Sequence, residues 1–346
     1  MTAFEPACLA AGLGSLPLTD ARAACSFVLR YFPAIPMWPQ LPKLTFRENM
    51  YVQFSEGLPG ANVIGDRLYV DMDHVEQDLE RLYVAYLGDD SAGVGAVGRA
   101  YAEGLAMFLS LKPALAGAVA VKGQVTGPIS LGLQVTDWKR RPILYDEIMA
   151  DALSRLLRLK AAWQETQLRA LCPRTLMFVD EPFLSAFGSA HVSLSRDQVL
   201  CSLEEVFAGI QGLKGLHCCG NTDWGMLLDT SADVISLDAY DYATPFALYA
   251  NEIRAFLRRG GAIAWGIVPN DGGRLAVETT ESLTERLLAA MDLLVQKGIS
   301  RDDLLNRSLI TSSCGLGTLS VADATRACEL TDAVSEQMRA LAGSDR

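Results

Sequence analysis

Short apolar runs alternate with long amphipathic segments along most of this chain, and the alternation limits the folds that it can adopt. One such pair is the helical pattern over roughly 141–170 followed by the apolar run TLMFVD at 175–180. Strands and helices that alternate in this way are typical of parallel βαβ units rather than of a sandwich or a helix bundle. Parallel strands gather their carboxyl ends at one edge, and in a barrel this edge carries the active site.

The number of strands indicates a closed α/β barrel. Seven runs have good strand character, and the eighth strand must come from the proline-rich region 33–44 or from the segment that follows it. We therefore predict a single (β/α)8 TIM barrel that forms one domain over residues 1–346. An N-terminal excursion of helices and a β-hairpin is expected at about 45–111, and no linker or internal repeat divides the chain.

Composition excludes several classes of protein. The chain has 346 residues, of which 50% are hydrophobic, so it can bury a large core. Its net charge of −11 argues against a nucleic-acid groove, which needs a basic face, and no segment reaches the roughly 18 apolar residues of a membrane span. The start, MTAFEPACLAAGLGSLP, lacks the basic region of a signal peptide. We expect a cytoplasmic protein whose eight cysteines are thiols or metal ligands rather than disulfides.

The segment LHCCGNTDW at 216–224 predicts a metal site. It reads as a strand end that runs into a turn, so His217 and Cys219 point to the same side. A third ligand is available in Cys314, which ends another apolar run, LITSSCGLG. One nitrogen and two sulfur ligands leave one position open, as in a catalytic zinc site. The remaining cysteines are interpreted as inert packing.

Other polar residues also fall at the carboxyl ends of predicted strands. In a barrel they face one cleft, where they bind substrate or assist the metal. Asp238 could supply a fourth, oxygen ligand or orient a ligand's second nitrogen, whereas any one of these residues by itself could be a helix cap or turn residue. The set comprises Ser15, Thr126, Asp180, Glu181, Asp238 and Asn270, in addition to the three predicted ligands.

The predicted ligands favour thiol chemistry. A substrate thiol coordinated to zinc is deprotonated at neutral pH and can attack an electrophilic carbon. The acidic residues of the cleft could hold an ammonium group of the same substrate. Residue pattern alone does not identify the substrate further.

Several motifs together resemble a known family. GLGSLP, FRENMYVQFSEGLPG, KGQVTGP, FVDEPFL, the H-x-C of LHCCGNTDW, ADVISLD and SSCGLG occur between residues 12 and 317 in the order found in the catalytic barrel of cobalamin-independent methionine synthase. HCCGNTDW also resembles the H-x-C-G-N of the methylcobamide:coenzyme M methyltransferases, which share the uroporphyrinogen-decarboxylase-like barrel. The resemblance implies a TIM barrel that binds Zn²⁺.

The resemblance also implies roles for individual residues. His217, Cys219 and Cys314 would be zinc ligands, and Asp238 stands where methionine synthase has a ligand Glu. Gly14 and Ser15 would belong to the homocysteine carboxylate site. Asp180 would bind the homocysteine amino group.

The chain departs from the folate-dependent enzymes at four positions. The stretch WGIVPN lacks the catalytic His of their D-I-H-S-P motif, and Gln134 replaces the Trp that flanks the pterin. Ala186 and Leu44 replace two Glu residues, the second of which helps to hold the homocysteine amine. These changes remove folate recognition and keep the zinc ligands.

We therefore expect a zinc-dependent thiol methyltransferase that makes methionine from homocysteine with a methylcorrinoid as donor. The chain lacks a D-x-H-x-x-G corrinoid-binding motif, so methylcobalamin must arrive free or on a separate corrinoid protein. The alternatives are a methyltransferase for coenzyme M or another small thiol, a uroporphyrinogen decarboxylase-like enzyme, and a non-catalytic zinc- or corrinoid-binding partner.

Overall fold

A computed structural model describes residues 4–189 and 192–344. Seven parallel strands form one curved sheet in the order β1-β9-β8-β7-β6-β5-β4, and β2 and β3 form a separate antiparallel pair. The strands are β1 (Leu9–Ala10), β2 (Ala61–Ile64), β3 (Arg67–Val70), β4 (Val121–Thr126), β5 (Thr175–Asp180), β6 (Leu213–Cys218), β7 (Val234–Leu237), β8 (Ala262–Val268) and β9 (Ser308–Ser312).

The proline-rich segment closes the barrel between β4 and β1. A parallel bridge joins Met37 to Lys122 of β4, and another joins Gln40 to Ser15, just beyond β1. Prolines have no N–H to donate, so this segment makes isolated bridges instead of a regular ladder. The predicted α/β barrel is confirmed, and its eighth side is the proline-rich region.

Helices cover the outside of the barrel and follow the strands in sequence. Asp146 caps the 23-residue helix Glu147–Arg169 by accepting a hydrogen bond from the Met149 N–H at 3.0 Å. None of the described helices is long and apolar enough to cross a membrane. They are α1 (Ala21–Tyr31), α2 (Met50–Gln53), α3 (Glu76–Leu87), α4 (Glu103–Leu109), α5 (Pro128–Gln134), α6 (Glu147–Arg169), α7 (Arg196–Phe207), α8 (Trp224–Leu228), α9 (Ala239–Phe246), α10 (Ala250–Arg258), α11 (Gly272–Leu275), α12 (Thr280–Val295), α13 (Arg301–Asn306) and α14 (Val321–Ser344).

The excursion predicted at about 45–111 contains α2, the hairpin β2–β3, α3 and α4. The hairpin turns at Gly65, whose φ of +57° lies in the left-handed region that glycine adopts without strain. The Val70 N–H donates to the Thr136 carbonyl at 2.9 Å, which ties the hairpin to the loop after α5. The excursion therefore lies against the mouth of the barrel on the β4 side.

The barrel interior has a small apolar core of its own, separate from the larger core between strands and helices. It contains Leu176 and Phe178 of β5, Ala262 and Ala264 of β8, and Leu309 of β9. These residues alternate along their strands, so they share the inward face. The polar site lies above this layer, at the carboxyl ends of the strands.

Candidate metal centre and active site

The structure brings the three predicted metal ligands together. His217 lies in β6, Cys219 follows the same strand directly, and Cys314 follows β9. One ligand atom from each residue lies within 4.8 Å of the other two. The curvature of the parallel sheet produces this approach, because it gathers strand ends that are distant in sequence at one mouth.

The imidazole of His217 is held with one nitrogen directed into the site. Its Nδ1 lies 2.9 Å from the Ser236 hydroxyl, whose Cα is its register partner on β7. Its Nε2 is buried and has no hydrogen-bond partner among the described residues. A buried nitrogen without a partner is unfavourable unless a ligand satisfies it, so this atom fits a metal ligand.

The two thiols lie close enough to affect each other's ionisation. A hydrogen bond between them lowers the pKa of Cys219 and raises the pKa of Cys314, to which burial also contributes. Cys219 is therefore the first of the pair to become a thiolate, which is the form that binds a metal. One imidazole nitrogen and two sulfurs suit Zn²⁺, so the residues present fit a zinc ion.

Asp238, the predicted fourth ligand, has another partner. Its carboxylate accepts the Asp241 N–H at 3.0 Å and caps α9. It is not a member of the group of ligand atoms that lie within 4.8 Å of one another. Burial raises the pKa of this carboxyl to about 6. The observed role of Asp238 is that of a helix cap beside the centre.

A cavity of about 340 Å³ opens directly on the three ligands. Its walls include no Lys or Arg among the residues that the structure describes there. The walls contain six of the predicted site residues, namely Ser15, Asp180, His217, Cys219, Asn270 and Cys314. A small molecule in this cavity therefore meets the carboxyl group of Asp180 at a strand end and no cationic side chain of the described wall.

Asp180 offers an unsatisfied acceptor in this cavity. It ends β5 beside His217, its Cα register partner on β6. Its Oδ1 is buried, and none of the residues that the structure describes donates to it. Burial raises the pKa of this carboxyl, and the nearby Lys122 and His217 oppose the rise. A donor brought by the substrate would complete the hydrogen bonding of Asp180.

Ser15 and Asn270 also line the cavity, whereas Gly14, the neighbour of Ser15, is not among the described wall residues. The Ser15 hydroxyl accepts the Gly317 N–H at 3.3 Å, and the Asn270 side-chain oxygen accepts from Ser313 at 3.2 Å. Gly14 has φ +139°, and a Cβ there would lie 2.8 Å from a Gln40 oxygen. Only glycine fits this turn, which sets the position of Ser15 in the wall.

Comparison with solved structures identifies the architecture. A B12-independent methionine synthase from Shewanella sp. W3-18-1, in complex with selenomethionine, superposes with a TM-score of 0.62 at 15% identity, over 97% of this chain and 99% of that chain. The chain has the fold of B12-independent methionine synthase.

Two further structures agree with this methionine synthase fold. A protein from Listeria monocytogenes, assigned as a vitamin-B12-independent methionine synthase, gives a TM-score of 0.57 at 14% identity, over 93% of this chain and 85% of that one. A methyltransferase from Methanosarcina mazei gives 0.54 at 11% identity, over 91% and 85%. No protein-family model and no curated protein sequence matches the chain.

Glu181 and Thr126, both predicted to bind substrate, lie outside the cavity wall of this methionine synthase fold. The fully buried Glu181 carboxylate accepts N–H groups of Ile129 and Ser130, at 2.9 and 2.7 Å, at the start of α5. The Thr126 hydroxyl donates to the Met50 carbonyl at 2.8 Å. Both side chains therefore hold segments of the fold in place, because their polar atoms already have partners inside the protein.

Sequence reasoning missed the polar wall residues that come from the proline-rich segment and the excursion: Gln40, Glu48, Asn49 and Tyr51. Burial raises the pKa of Glu48 to about 7, and its carboxylate accepts the N–H groups of Glu103 and Leu41. The signal for the last three was the segment FRENMYVQF, which looks helical in sequence and belongs to the motifs that carry the family resemblance.

Proposed function

We propose that this protein is a zinc-dependent methyltransferase that methylates the thiol of homocysteine. The observation that supports the proposal most strongly is the convergence of His217, Cys219 and Cys314 within 4.8 Å, with the His217 Nε2 buried and unpartnered. The solved structures that share its fold include two methionine synthases and a methyltransferase.

The cavity favours an acceptor that carries an ammonium group. The Asp180 carboxylate in its wall has an unsatisfied oxygen, and the described wall contains no Lys or Arg. An ammonium satisfies both the hydrogen bonding and the charge of a buried carboxylate. The related Shewanella structure contains selenomethionine, the selenium counterpart of the product expected from homocysteine. An aminothiol of this size therefore fits the site.

Each residue of the site has a role in this reaction. When bound, zinc supplies a Lewis acid that lowers the pKa of a substrate thiol, so that the thiolate is available at neutral pH. Asp180 binds the acceptor's ammonium, and the turn at Gly14 and Ser15 places backbone and hydroxyl groups at the other end. Because both ends of the acceptor are bound, its sulfur points in a fixed direction. This orientation increases the rate of transfer.

The donor that we propose is a methylcorrinoid, either free methylcobalamin or a methylated corrinoid protein. His217 is the one imidazole in the described cavity wall, and its Nε2 faces the thiols. No further imidazole lies there to protonate an amine leaving group, and the segment WGIVPN contributes Asn270 instead. A corrinoid departs as cob(I)alamin, which needs no proton. This donor is therefore compatible with a cavity wall that offers no further imidazole.

The test combines metal analysis with a methyl-transfer assay under anoxic conditions. Purified protein should contain stoichiometric zinc and convert homocysteine to methionine with methylcobalamin as donor. Exhaustive chelation should abolish the activity, and added zinc should restore it. Full activity in zinc-free protein would refute the metal role, and zinc-loaded protein that methylates no thiol would favour a non-catalytic zinc- or corrinoid-binding partner.

The composition of the cavity wall disfavours the two alternative enzymes, a coenzyme M methyltransferase and a uroporphyrinogen decarboxylase-like enzyme. Coenzyme M carries a sulfonate, and uroporphyrinogen carries several carboxylates, so both are expected to need cationic side chains. The described cavity wall contains none. A panel of thiols assayed with methylcobalamin separates these possibilities, because only an aminothiol should saturate at low concentration.

A further inference from the structure

A second and larger concavity, the hairpin groove, lies beside the acceptor cavity. It has a volume of about 840 Å³ and lies between the hairpin β2–β3, α2 and the loop after α5. Its walls are rich in aromatic and basic side chains. They include Phe46, Ile64, Arg67, Tyr69, Trp138 and Arg140.

The hairpin groove and the acceptor cavity share two wall residues, Asn49 and Tyr51. Tyr51 lines the acceptor cavity together with Cys219 and Cys314, so this ring stands near the metal ligands as well as in the groove. A group that passes from the groove to the acceptor sulfur must therefore pass the side chains of Asn49 and Tyr51.

Apolar surface in the groove is more exposed than is usual for such side chains. Trp138 is 62% exposed and Ile64 is 63% exposed, although both are large and apolar. Large apolar side chains grouped around a concavity are typical of a binding surface for a ligand with apolar faces. The ring of Trp138 can stack on a flat ligand.

The groove also concentrates positive charge on an acidic protein. Arg67 and Arg140 line it, and no ion pair with a carboxylate is found for either within residues 4–189 and 192–344. Lys139 lies beside them, with its Nζ 4.8 Å from the centre of the Trp138 ring. Asp66 is exposed in the groove, and Asp137 is neutralised by Arg141 at 2.7 Å. Because the whole chain carries −11, this local excess of cations selects a ligand with an anionic group.

We propose that the hairpin groove binds the corrin ring of the methyl donor, with the ring on Trp138 and the phosphodiester of its nucleotide tail on Arg67 and Arg140. The proposal rests on the function proposed above. The corrin macrocycle is too large to share the acceptor cavity with homocysteine, so it must lie outside it. The groove is the adjoining concavity that reaches the acceptor past two shared side chains.

This arrangement allows transfer in line. The acceptor thiolate forms the S–CH₃ bond while the Co–CH₃ bond breaks, and the bonding electron pair stays on cobalt, which changes from Co(III) to Co(I). The acceptor's proton has left for solvent before this step. Asn49 and Tyr51 flank the path, and the bulk of the ring remains in the groove.

Binding of methylcobalamin to the zinc-loaded protein, measured by calorimetry in the dark, tests the site without relying on turnover. Trp138→Ala and the double variant Arg67→Glu/Arg140→Glu should each raise the Kd about tenfold or more, as for loss of a central aromatic or charged anchor. The KM for homocysteine and the zinc content should stay unchanged. Leu248→Ala and Arg258→Glu, at exposed positions that line neither concavity, are matched controls and should bind methylcobalamin like the wild type.

The outcomes separate this inference from the proposed function. If the wild type transfers the methyl group and all groove variants retain its Kd and KM for methylcobalamin, the groove assignment is overturned while the function stands. If the wild type neither binds methylcobalamin nor accepts its methyl group, the corrinoid donor and this site both fail. A second arm uses a methylated corrinoid protein as donor. If the groove variants lose activity only with the carrier protein as donor, the groove binds the surface of the carrier, and the proposed corrin site is overturned.

Discussion

The Ser236 hydroxyl lies 2.9 Å from Nδ1 of His217, across the β6–β7 ladder. With the proton on Nδ1, the imidazole donates to Ser236 and keeps the lone pair of Nε2 for the metal site. The serine therefore holds the direction of the ring, and its hydroxyl can accept from Nδ1 when Nε2 binds a metal. Its position follows from strand register, because the two residues are Cα partners on adjacent parallel strands.

Ser236→Ala should weaken zinc binding about 10- to 100-fold, since the ring loses the partner that orients it. Competition with a zinc chelator of known affinity measures the change. Ser231→Ala, which removes a hydroxyl that bonds to Glu204, is the matched control and should retain the affinity of the wild type. Unchanged zinc affinity in the Ser236 variant would show that the orientation of the ring does not depend on this hydroxyl.

Cys219→Ser and Cys314→Ser should each remove both zinc and methyl transfer, because a hydroxyl does not replace a thiolate as a zinc ligand. Metal analysis of the purified variants, together with the methyl-transfer assay, checks this. Cys201→Ser changes an exposed cysteine on α7 and should leave both measurements as in the wild type. A Cys314 variant that retains stoichiometric zinc would exclude residue 314 from the metal site.

Asp180→Asn should raise the KM for homocysteine by roughly 10- to 100-fold with zinc content unchanged, as for the loss of a charged hydrogen bond to an ammonium. Steady-state kinetics measure the change. The comparison substrate is 4-mercaptobutanoate, which is homocysteine without its amino group. The variant and the wild type should methylate this compound equally well. If the variant loses activity equally on both substrates, Asp180 has a role other than ammonium binding.

The buried carboxyl of Glu181 should make the protein less stable as the pH rises from about 4.5 to about 7. Burial raises its pKa in the folded protein from 4.5 to about 7, so in this window the folded state holds a proton that the unfolded chain has released. The free energy of unfolding therefore falls with rising pH, by at most about 3 kcal/mol from this group, and the fall levels off above about pH 8.

Urea unfolding at several pH values between 4.5 and 8 measures this effect. Glu181→Gln should flatten the fall in the free energy of unfolding over that window, whatever its stability at any single pH. Glu252→Gln alters an exposed carboxyl on α10 and should keep the slope of the wild type. A variant of Glu181 with the same slope as the wild type would mean that another group binds the proton.

Much of the fold followed from local patterns. The apolar run TLMFVD forms β5, and the helical pattern after residue 141 forms α6. Each element forms because it buries the apolar face that its sequence pattern specifies. The pattern did not show how the barrel closes. Residues 33–44 have no strand periodicity, and their role depends on the gap that β4 and β1 leave between them.

Part of the candidate site could likewise be predicted from the sequence, and part could not. His217, Cys219 and Cys314 could be proposed from residue type and position at strand ends. The wall residues Glu48, Asn49 and Tyr51 could not, because they belong to an excursion whose packing against the barrel no local pattern specifies. Glu181 is expected in the cleft because it lies at the carboxyl end of a strand, yet the alternation of side chains turns it towards α5.

The sequence by itself determined which residues are candidate metal ligands, since a rare histidine two residues from a cysteine, with another strand-end cysteine, already indicates such a set. Only the tertiary structure decided which polar residues share the cavity with them and which support the fold. The physical reason is that a side chain's residue type is local, whereas its free hydrogen-bonding atoms depend on what the rest of the barrel places around it. Asp180 and Glu181 are neighbours in the chain, but one has an unpartnered oxygen in the cavity and the other has its carboxylate satisfied by α5.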